Sequence, residues 1–285
     1  MDLIKRMIRF IIVHPKQKSD QQNAYLNWFF YRIIRFKYKR YLKKLPNYKP
    51  TGEFSNKVWW CWFQGEENAP ELNKVCLQSL REKLKDREII VITMDNYKDY
   101  VDIPDYIIDK FNKKRITYTH FSDILRIELL TKYGGTWIDS SVYCTKYNKD
   151  FFDKPLFAFS NFMKADSSIV CSSWFITSEK NNPILLTVRD LLHKYWKDNN
   201  HLLHYYLVHF FITMATEKYS DLWKEVPRFS NVPPHILQFE LLEKYNETRF
   251  EQIKGMSDFH KLNQKLDFSN AKNTFYNKII EKKGK

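Results

Sequence analysis

The sequence predicts an α/β fold in which helices pack around a sheet, preceded by a basic helical arm and ending in a helical C-terminal region. Three observations lead to this prediction. Apolar runs at residues 57–63 and 88–93 have the length of buried strands, and a helical pattern of apolar residues after Pro70 separates them. A strand, a helix and a second strand at this spacing form a unit with parallel strands. The 44% apolar content of the 285 residues is ample for a packed core.

The positive charge of the chain is concentrated at its N-terminus. The net charge is +14, and residues 1–50 hold 13 Lys and Arg against Asp2 and Asp20. The remaining 235 residues carry 34 basic and 31 acidic side chains, so they are close to neutral. We therefore divide the chain into a basic aromatic arm, residues 1–50, and one domain, residues 51–285.

The arm holds two apolar stretches, and neither is expected to cross a membrane. The first, residues 7–15, contains Arg9 and ends at Pro15, well short of the roughly 20 apolar residues that a membrane-spanning helix needs. No small-residue cleavage site follows it, which argues against a secretion signal. The second, residues 25–44, interleaves aromatic residues with Lys and Arg. This composition favours a segment on an anionic membrane surface. The alternatives are a helix packed on the domain with a solvated basic face, and a nucleic-acid-binding segment.

The cysteine pattern and the absence of nucleic-acid-binding motifs indicate the cell compartment of the protein and the kinds of partner that it binds. The four Cys, at positions 61, 76, 144 and 171, show no paired spacing, so a zinc module or a disulfide framework has little support. No helix-turn-helix, RNP or zinc-finger pattern is present. We therefore expect a cytoplasmic protein, peripheral at the inner face of the cell membrane, with no nucleic-acid partner.

The middle of the domain is predicted to contain a long helix that leads into a strand. A short helix is expected at residues 104–111, and apolar positions recur at helical spacing over residues 119–132. Gly134 and Gly135 end this helix, the first at a position suited to a left-handed C-terminal cap. Residues 136–138 then form a strand that ends at Asp139. Open α/β sheets bind their ligands at the carboxyl ends of strands, so Asp139 is a candidate functional residue.

The rest of the domain is predicted to hold two more strands and several helices. The strands are expected at residues 156–159 and 169–176, and the helices at residues 183–197, 202–219 and 271–283. No internal repeat and no low-complexity tract interrupts them. One continuous domain is therefore expected.

Three charged residues are predicted to lie near one another. Asp123 and Arg126 are three positions apart on the helix of residues 119–132, so they project from one face. A surface salt bridge would explain the pair equally well, and such pairs contribute little, about 0–1 kcal/mol. The same helix runs through the glycine turn to Asp139, which brings all three residues toward one rim.

These residues carry a resemblance to a known family. The combination of Ser122-Asp123-x-x-Arg126 with Tyr133-Gly134-Gly135-x-Trp137-x-Asp139 resembles the core of GT-A-fold transferases of the type that includes glycosyltransferase family 32. It is most similar to the capsular polysaccharide synthesis proteins of bacteria. The similarity covers about residues 57–265 and leaves the arm uncovered. It implies a GT-A-like, Rossmann-type mixed sheet flanked by helices.

The resemblance also implies the activity. The expected reaction is transfer of a hexose-type sugar from a nucleotide sugar, most simply a UDP-sugar, to a lipid-linked or growing glycan in capsular or surface polysaccharide synthesis, with net retention. Donor-binding roles are implied for Trp60, Trp62, Gln64, Asp123, Arg126, Gly134, Gly135, Trp137 and Ser140, and catalytic roles for Asp123, Arg126 and Asp139.

A divalent metal ion, Mn²⁺ or Mg²⁺, is expected by the same resemblance, because a nucleoside diphosphate leaves with growing negative charge. Asp139 would be the first acid of an Asp-x-Asp-like motif, with Ser141 and a late histidine, His260, completing the ligands. Ser141 stands where the general motif has a second acid, and His204 stands where an acid is expected before a Tyr-Tyr pair. These departures leave one alternative, a membrane-associated scaffold that retains the fold without catalysis.

Overall fold

The computed structural model describes residues 20–161 and 167–281, with side chains described from residue 23. The first apolar stretch of the arm, residues 7–15, lies outside these ranges. The strands are β1 (Lys57–Cys61), β2 (Glu88–Ile92), β3 (Gly135–Ile138), β4 (Val142–Cys144), β5 (Leu156–Ser160), β6 (Cys171–Ser178) and β7 (Phe259–Lys261). The helices are α1 (Asp20–Lys44), α2 (Glu71–Lys83), α3 (Tyr97–Tyr100), α4 (Asp105–Asn112), α5 (Tyr118–Tyr133), α6 (Pro183–Asp198), α7 (Leu207–Lys218), α8 (Ser220–Lys224), α9 (Val232–Glu240), α10 (Glu247–Met256) and α11 (Phe275–Glu281).

Five strands form a mixed sheet in the order β2-β1-β3-β6-β5. Strand β1 pairs in parallel with β2 and with β3, whereas β6 runs antiparallel to β3 and to β5. The parallel unit predicted from residues 57–93 is therefore confirmed, and so is the α/β class with a mixed sheet between helices. Strands β4 and β7 form a separate antiparallel pair.

The sheet buries side chains on both faces. Trp59 belongs to an apolar cluster that includes residues of α5, α6 and α7. Its neighbours Val58 and Trp60 belong to a second cluster, which includes Leu77 and Leu80 of α2. Successive side chains of a strand point to opposite faces, so helices cover the sheet on both sides. This explains why β1 is apolar at every position from Val58 to Cys61.

Helix α1 packs on the domain along one face. Ala24, Asn27, Tyr31, Ile34 and Tyr38 are buried at alternating spacings of three and four, as a helix with a single buried stripe requires. Tyr31, Ile34 and Tyr38 belong to the same cluster as Trp59, and the Tyr31 hydroxyl donates to Glu217 of α7 across 2.6 Å. The described part of the arm thus shares the main core, as in the packed-helix alternative. No helix in the described part of the chain is both long and apolar enough to cross a bilayer.

The glycine turn after α5 has the positive φ that the sequence predicts, but Gly134 does not form a left-handed helical cap, because its ψ is −156°. Gly134 has a φ of 68°, and its N–H donates to the Leu130 carbonyl. Gly135 has a φ of 89°, and a Cβ there would lie 2.4 Å from the main-chain oxygen of Lys57. Only glycine tolerates both the positive φ and this close approach to β1. The turn sets β3 directly beside β1 and so fixes where Asp139 emerges.

Candidate active site

A cavity of about 560 Å³ opens at the carboxyl ends of β1 and β3. Trp62 and Gln64 reach it from the segment that follows β1, and Asp139 and Ser140 reach it from the segment that follows β3. The two strands are parallel neighbours, so their carboxyl ends lie at one edge of the sheet. The structure therefore places Asp139 at the carboxyl edge of the sheet, as the sequence predicts, where open α/β sheets generally bind ligands.

Helix α5 supplies a buried ion pair to this cavity. Arg126 Nη1 donates to Asp123 Oδ1 across 2.8 Å, and Arg126 Nη2 donates to Asp139 Oδ1 across 2.9 Å. Asp123 is 8% exposed and Arg126 is 4% exposed, so the solvated surface pair is excluded. One guanidinium bridges two carboxylates from different elements, which lysine could not do with the same planar geometry.

Trp137, on β3, contacts both Arg126 and Asp139, which form the second of these two ion pairs. Its indole Nε1 donates to Asp139 Oδ1 across 2.8 Å, and the Arg126 guanidinium carbon lies 4.7 Å from the centroid of its ring. The ring thus contributes a cation–π contact and a hydrogen bond at once. Both interactions limit the movement of the two charges that line the cavity.

Lys261 is a functional candidate that the sequence reasoning missed. Its ammonium Nζ lies 2.9 Å from Asp139 Oδ2 and 2.7 Å from Ser141 Oγ. It reaches them from β7, which pairs with β4 so that Lys261 lies opposite Val142. The signal that the sequence offers is that Lys261 is adjacent to His260, the predicted metal ligand.

The structure does not bring His260 to Asp139 and Ser141, which corrects the predicted ligand set. His260 is fully buried, and its Nε2 lies 3.1 Å from the Thr145 hydroxyl. Adjacent residues of a strand point to opposite sides, so with Lys261 facing the cavity His260 must face away from it. Burial lowers the pKa of His260 from 6.5 to about 4, as expected for a neutral core histidine.

Most of the other predicted residues do meet at the cavity. Its walls include Trp62, Gln64, Asp123, Arg126, Trp137, Asp139, Ser140 and Ser141. Trp60, Gly134 and Gly135 lie elsewhere: Trp60 is buried in the cluster beneath the sheet, and the glycines shape the turn before β3. The predicted donor contacts of these three residues therefore do not fit their positions.

The charges of the site are held in their ionised forms. Burial alone would raise the pKa of Asp139, but the charges of Lys261 and Arg126 and the hydrogen bonds from Lys261 and Trp137 outweigh it and lower the pKa. The pKa of Asp123 is likewise lowered, because Arg126 and His120 outweigh burial. Both carboxylates are therefore negative at neutral pH, and each faces a fixed cation.

The side chains present do not fit the expected divalent metal ion. Asp139 already accepts from Arg126 and Trp137 on one oxygen and from Lys261 on the other. Ser141 accepts from the same ammonium. Within residues 20–161 and 167–281, no group of three His, Cys, Asp or Glu side chains is arranged to hold a metal ion. A cation at the predicted position would meet an ammonium rather than an open carboxylate.

A second cavity, of about 850 Å³, adjoins the first. Asp139, Ser173, Tyr205, His209 and Lys261 line both cavities. The second cavity also extends to α1 and carries aromatic and amide side chains, among them Asn27, Phe30, Trp174, Tyr206 and Asn231. His204, the residue that replaces an expected acid, lies in its wall. Two chambers therefore meet at Asp139 and Lys261.

Comparison with known proteins places the chain in a family. The sequence matches the family of capsular polysaccharide synthesis proteins over residues 9–279. No curated protein sequence matches the chain. Several solved structures resemble it distantly, among them two glycosyltransferases. The PaToxG glycosyltransferase is 16% identical, with 82% of this chain and 95% of that chain covered and a TM-score of 0.39. The apo-form glycosyltransferase GlyE of Streptococcus pneumoniae TIGR4 is 12% identical, with 81% of this chain and 60% of that chain covered and a TM-score of 0.45.

The family match spans nearly the whole chain, including most of the arm that the resemblance seen in the sequence left uncovered. The mixed sheet between helices agrees with the GT-A-like architecture expected from that resemblance. The chain belongs to the capsular polysaccharide synthesis protein family.

Proposed function

We propose that the protein is a glycosyltransferase that moves a hexose-type sugar from a UDP-sugar to a lipid-linked or growing glycan in capsular polysaccharide synthesis. The observation that carries the proposal is the meeting of two cavities at one cluster of charges, formed by Arg126, Asp139 and Lys261. A transferase needs this arrangement, because the donor and the acceptor must approach one reacting centre from different sides.

The first cavity is suited to the donor. Trp62 is half-buried at its wall and offers an aromatic face for the uracil base. Asp123 and Asp139 are ionised acceptors for sugar hydroxyls, while Arg126, Lys261 and Lys265 place positive charge where the diphosphate would lie. In the reaction, the bond between the anomeric carbon and the diphosphate oxygen breaks, and its electron pair leaves with UDP.

The second cavity is suited to the acceptor glycan. Aromatic rings and amide side chains are the groups that orient a polyhydroxylated ligand in a pocket, and Phe30, Trp174 and Asn231 provide them here. An acceptor hydroxyl would bond to the anomeric carbon beside Asp139 and lose its proton to water. Because Asn27 and Phe30 belong to α1, the arm would form part of the acceptor site.

The outer face of α1 is proposed to rest on the anionic surface of the membrane. Tyr25, Trp28, Ile33 and Phe36 are exposed large apolar side chains on this helix. Lys and Arg side chains lie among them, and Arg32 and Lys39 stack on the rings of Trp28 and Phe36. Such a face suits the boundary between headgroups and acyl chains, where a lipid-linked acceptor would be found.

Incubation of the purified chain with a panel of nucleotide sugars tests the function. We expect release of UDP from one UDP-sugar, and the variant Asp139→Asn should lower this release by about 100-fold or more because the bridge to Arg126 and Lys261 is lost. The matched control is Asp221→Asn, which removes an exposed carboxylate paired with Lys224. If no nucleotide sugar is bound or turned over, the transferase is contradicted and the non-catalytic scaffold becomes the better account.

A further inference from the structure

We propose that the ammonium of Lys261 is the cation that binds the diphosphate of the nucleotide sugar, so that the donor binds and reacts without a divalent metal ion. The inference rests on the proposed function, since it names the group that recognises the donor in the first cavity. It also replaces the expected metal with a side chain of the protein.

Lys261 is held in place by its main chain. Strand β7 pairs with β4 in a register that sets Lys261 opposite Val142, and the next N–H, that of Leu262, donates to the Ser141 carbonyl across 2.8 Å. The side chain therefore starts from a fixed point next to the segment of residues 139–141. The position of its charge is therefore set by a strand and not by a flexible loop.

The ammonium has capacity left for a ligand. A lysine ammonium carries three N–H groups. Among the residues that the structure describes, two hydrogen bonds use two of them, to Asp139 Oδ2 and to Ser141 Oγ. The side chain is 21% exposed and lines both cavities, so the third N–H can meet a phosphate oxygen in the space between them.

The charged side chains that line the first cavity favour the binding of an anion over the binding of a divalent cation. Among its lining residues the cations are Arg126, Lys261 and Lys265, and the carboxylates are Asp123 and Asp139. Magnesium is typically bound through one or two carboxylates together with substrate phosphates, and both oxygens of Asp139, the expected carboxylate ligand, already accept from Arg126 and Lys261. A divalent ion on Asp139 would also lie within a few ångströms of the ammonium, and like charges at about 4 Å repel strongly in a partly buried site.

Ion pairing with Asp139 prepares Lys261 for this role. A lone ammonium would move toward solvent, whereas the pair with Asp139 keeps it at the cavity wall before the donor arrives. Preorganised charge of this kind stabilises a leaving group without reorganisation during the reaction. The growing charge on the diphosphate oxygen would be met by Lys261, with Arg126 close by on the other Asp139 oxygen.

Calorimetric titration of the full chain with UDP tests the inference, first in EDTA and then with Mg²⁺ or Mn²⁺. We expect binding in EDTA, with a Kd that changes less than about threefold when metal is added. Lys261→Met, which keeps the length of the side chain and removes its charge, should weaken binding in EDTA by about 10- to 100-fold. Lys261→Arg keeps the charge and should retain most of the binding. Lys272→Met, which removes an exposed lysine that lines neither cavity, should bind as the unaltered chain does.

Each possible result of the titration either supports or overturns the inference about Lys261. If UDP binds only when metal is present, the inference is overturned while the glycosyltransferase proposal stands. If UDP binds in neither condition, both fail. Unaltered binding by a folded Lys261→Met variant also overturns the inference. Should circular dichroism show that Lys261→Met is unfolded, the metal dependence of the unaltered chain and of Lys261→Arg still decides between the two cations.

Discussion

The indole Nε1 of Trp137 donates to Asp139 Oδ1 across 2.8 Å, and the same oxygen accepts from Arg126. Trp137 on β3 and Asp139, which directly follows the strand, are thereby joined to Arg126 of helix α5. The aromatic ring adds a direct contact with the guanidinium. Trp137 therefore positions charges that it does not itself carry.

Replacing Trp137 with phenylalanine tests this positioning role. Trp137→Phe removes the hydrogen bond to Asp139 and leaves a smaller ring beneath Arg126, so we expect UDP release from the donor to fall by about tenfold. The variant should also lose about 1–3 kcal/mol of unfolding free energy, because buried volume is removed. Urea unfolding and the donor assay measure the two effects.

Trp59→Phe is the matched control for this change. Trp59 lies opposite Trp137 in the pairing of β1 with β3, is equally buried, and donates its Nε1 to the Gly134 carbonyl. Trp59→Phe should therefore lower the unfolding free energy by a similar amount, with a much smaller effect on donor turnover. Equal losses of turnover in both variants would show that Trp137 acts only through packing.

Arg126→Lys tests whether the bridge needs the planar guanidinium. Lysine keeps the charge but cannot donate to Asp123 and Asp139 in the same fork, so one buried carboxylate loses its partner. We expect the unfolding free energy to fall by about 2–5 kcal/mol and donor turnover to fall by about 100-fold. The comparison is Arg81→Lys, in an exposed pair with Glu66, which should cost no more than about 1 kcal/mol. Normal turnover by Arg126→Lys would show that charge alone suffices.

The part of the site that could be predicted from the sequence lies on continuous, strongly patterned segments. Apolar periodicity and the glycine turn mark α5 and β3, so Asp123, Arg126 and Asp139 could be placed at one rim from local sequence alone. The contact of Lys261 with Asp139 could not be, because the two residues are separated by 122 positions. It depends on β4 and β7, which have three residues each and are too short to leave a clear pattern.

The arm illustrates a different limit of prediction from sequence. Its composition predicts a segment that lies on an anionic membrane surface. The exposed face of α1 is compatible with this prediction, which stays untested. The buried stripe from Ala24 to Tyr38 is also present in the sequence, but it consists of one small, one amide, one isoleucine and two tyrosine residues rather than a run of leucines. Composition averages the two faces of a helix, and only periodicity separates them.

The stability of the protein should decrease on mild acidification partly because of His260. The pKa of His260 is lowered by burial to about 4, from 6.5. Between these values the unfolded chain binds a proton that the folded chain does not, so the unfolding free energy falls as the pH drops from about 6.5 to about 4. The contribution is about 3 kcal/mol at most, and it levels off below the lower value.

His260→Gln removes the titration and can keep a hydrogen bond to Thr145. We expect its unfolding free energy, measured by urea titration at several pH values, to fall less steeply than that of the unaltered chain between pH 6.5 and pH 4. His201→Gln, at an exposed position, should retain the original slope. A slope unchanged in His260→Gln would mean that His260 is protonated in the folded state at these pH values.

The last prediction concerns the outer face of α1. Phe36 is 74% exposed on a helix rich in Lys and Arg, whereas Phe239 is 76% exposed on α9. If α1 lies on the membrane, Phe36→Ser should weaken binding to phosphatidylserine-containing vesicles by about tenfold, since burial of a phenylalanine side chain contributes about 1.5–3 kcal/mol. Phe239→Ser makes the same chemical change on another surface and should leave binding unaltered. Binding should also weaken with added salt, because the cations near the rings act through a screened attraction. Equal binding of the three proteins would place the membrane contact away from α1, and retention on DNA instead of vesicles would favour the nucleic-acid alternative.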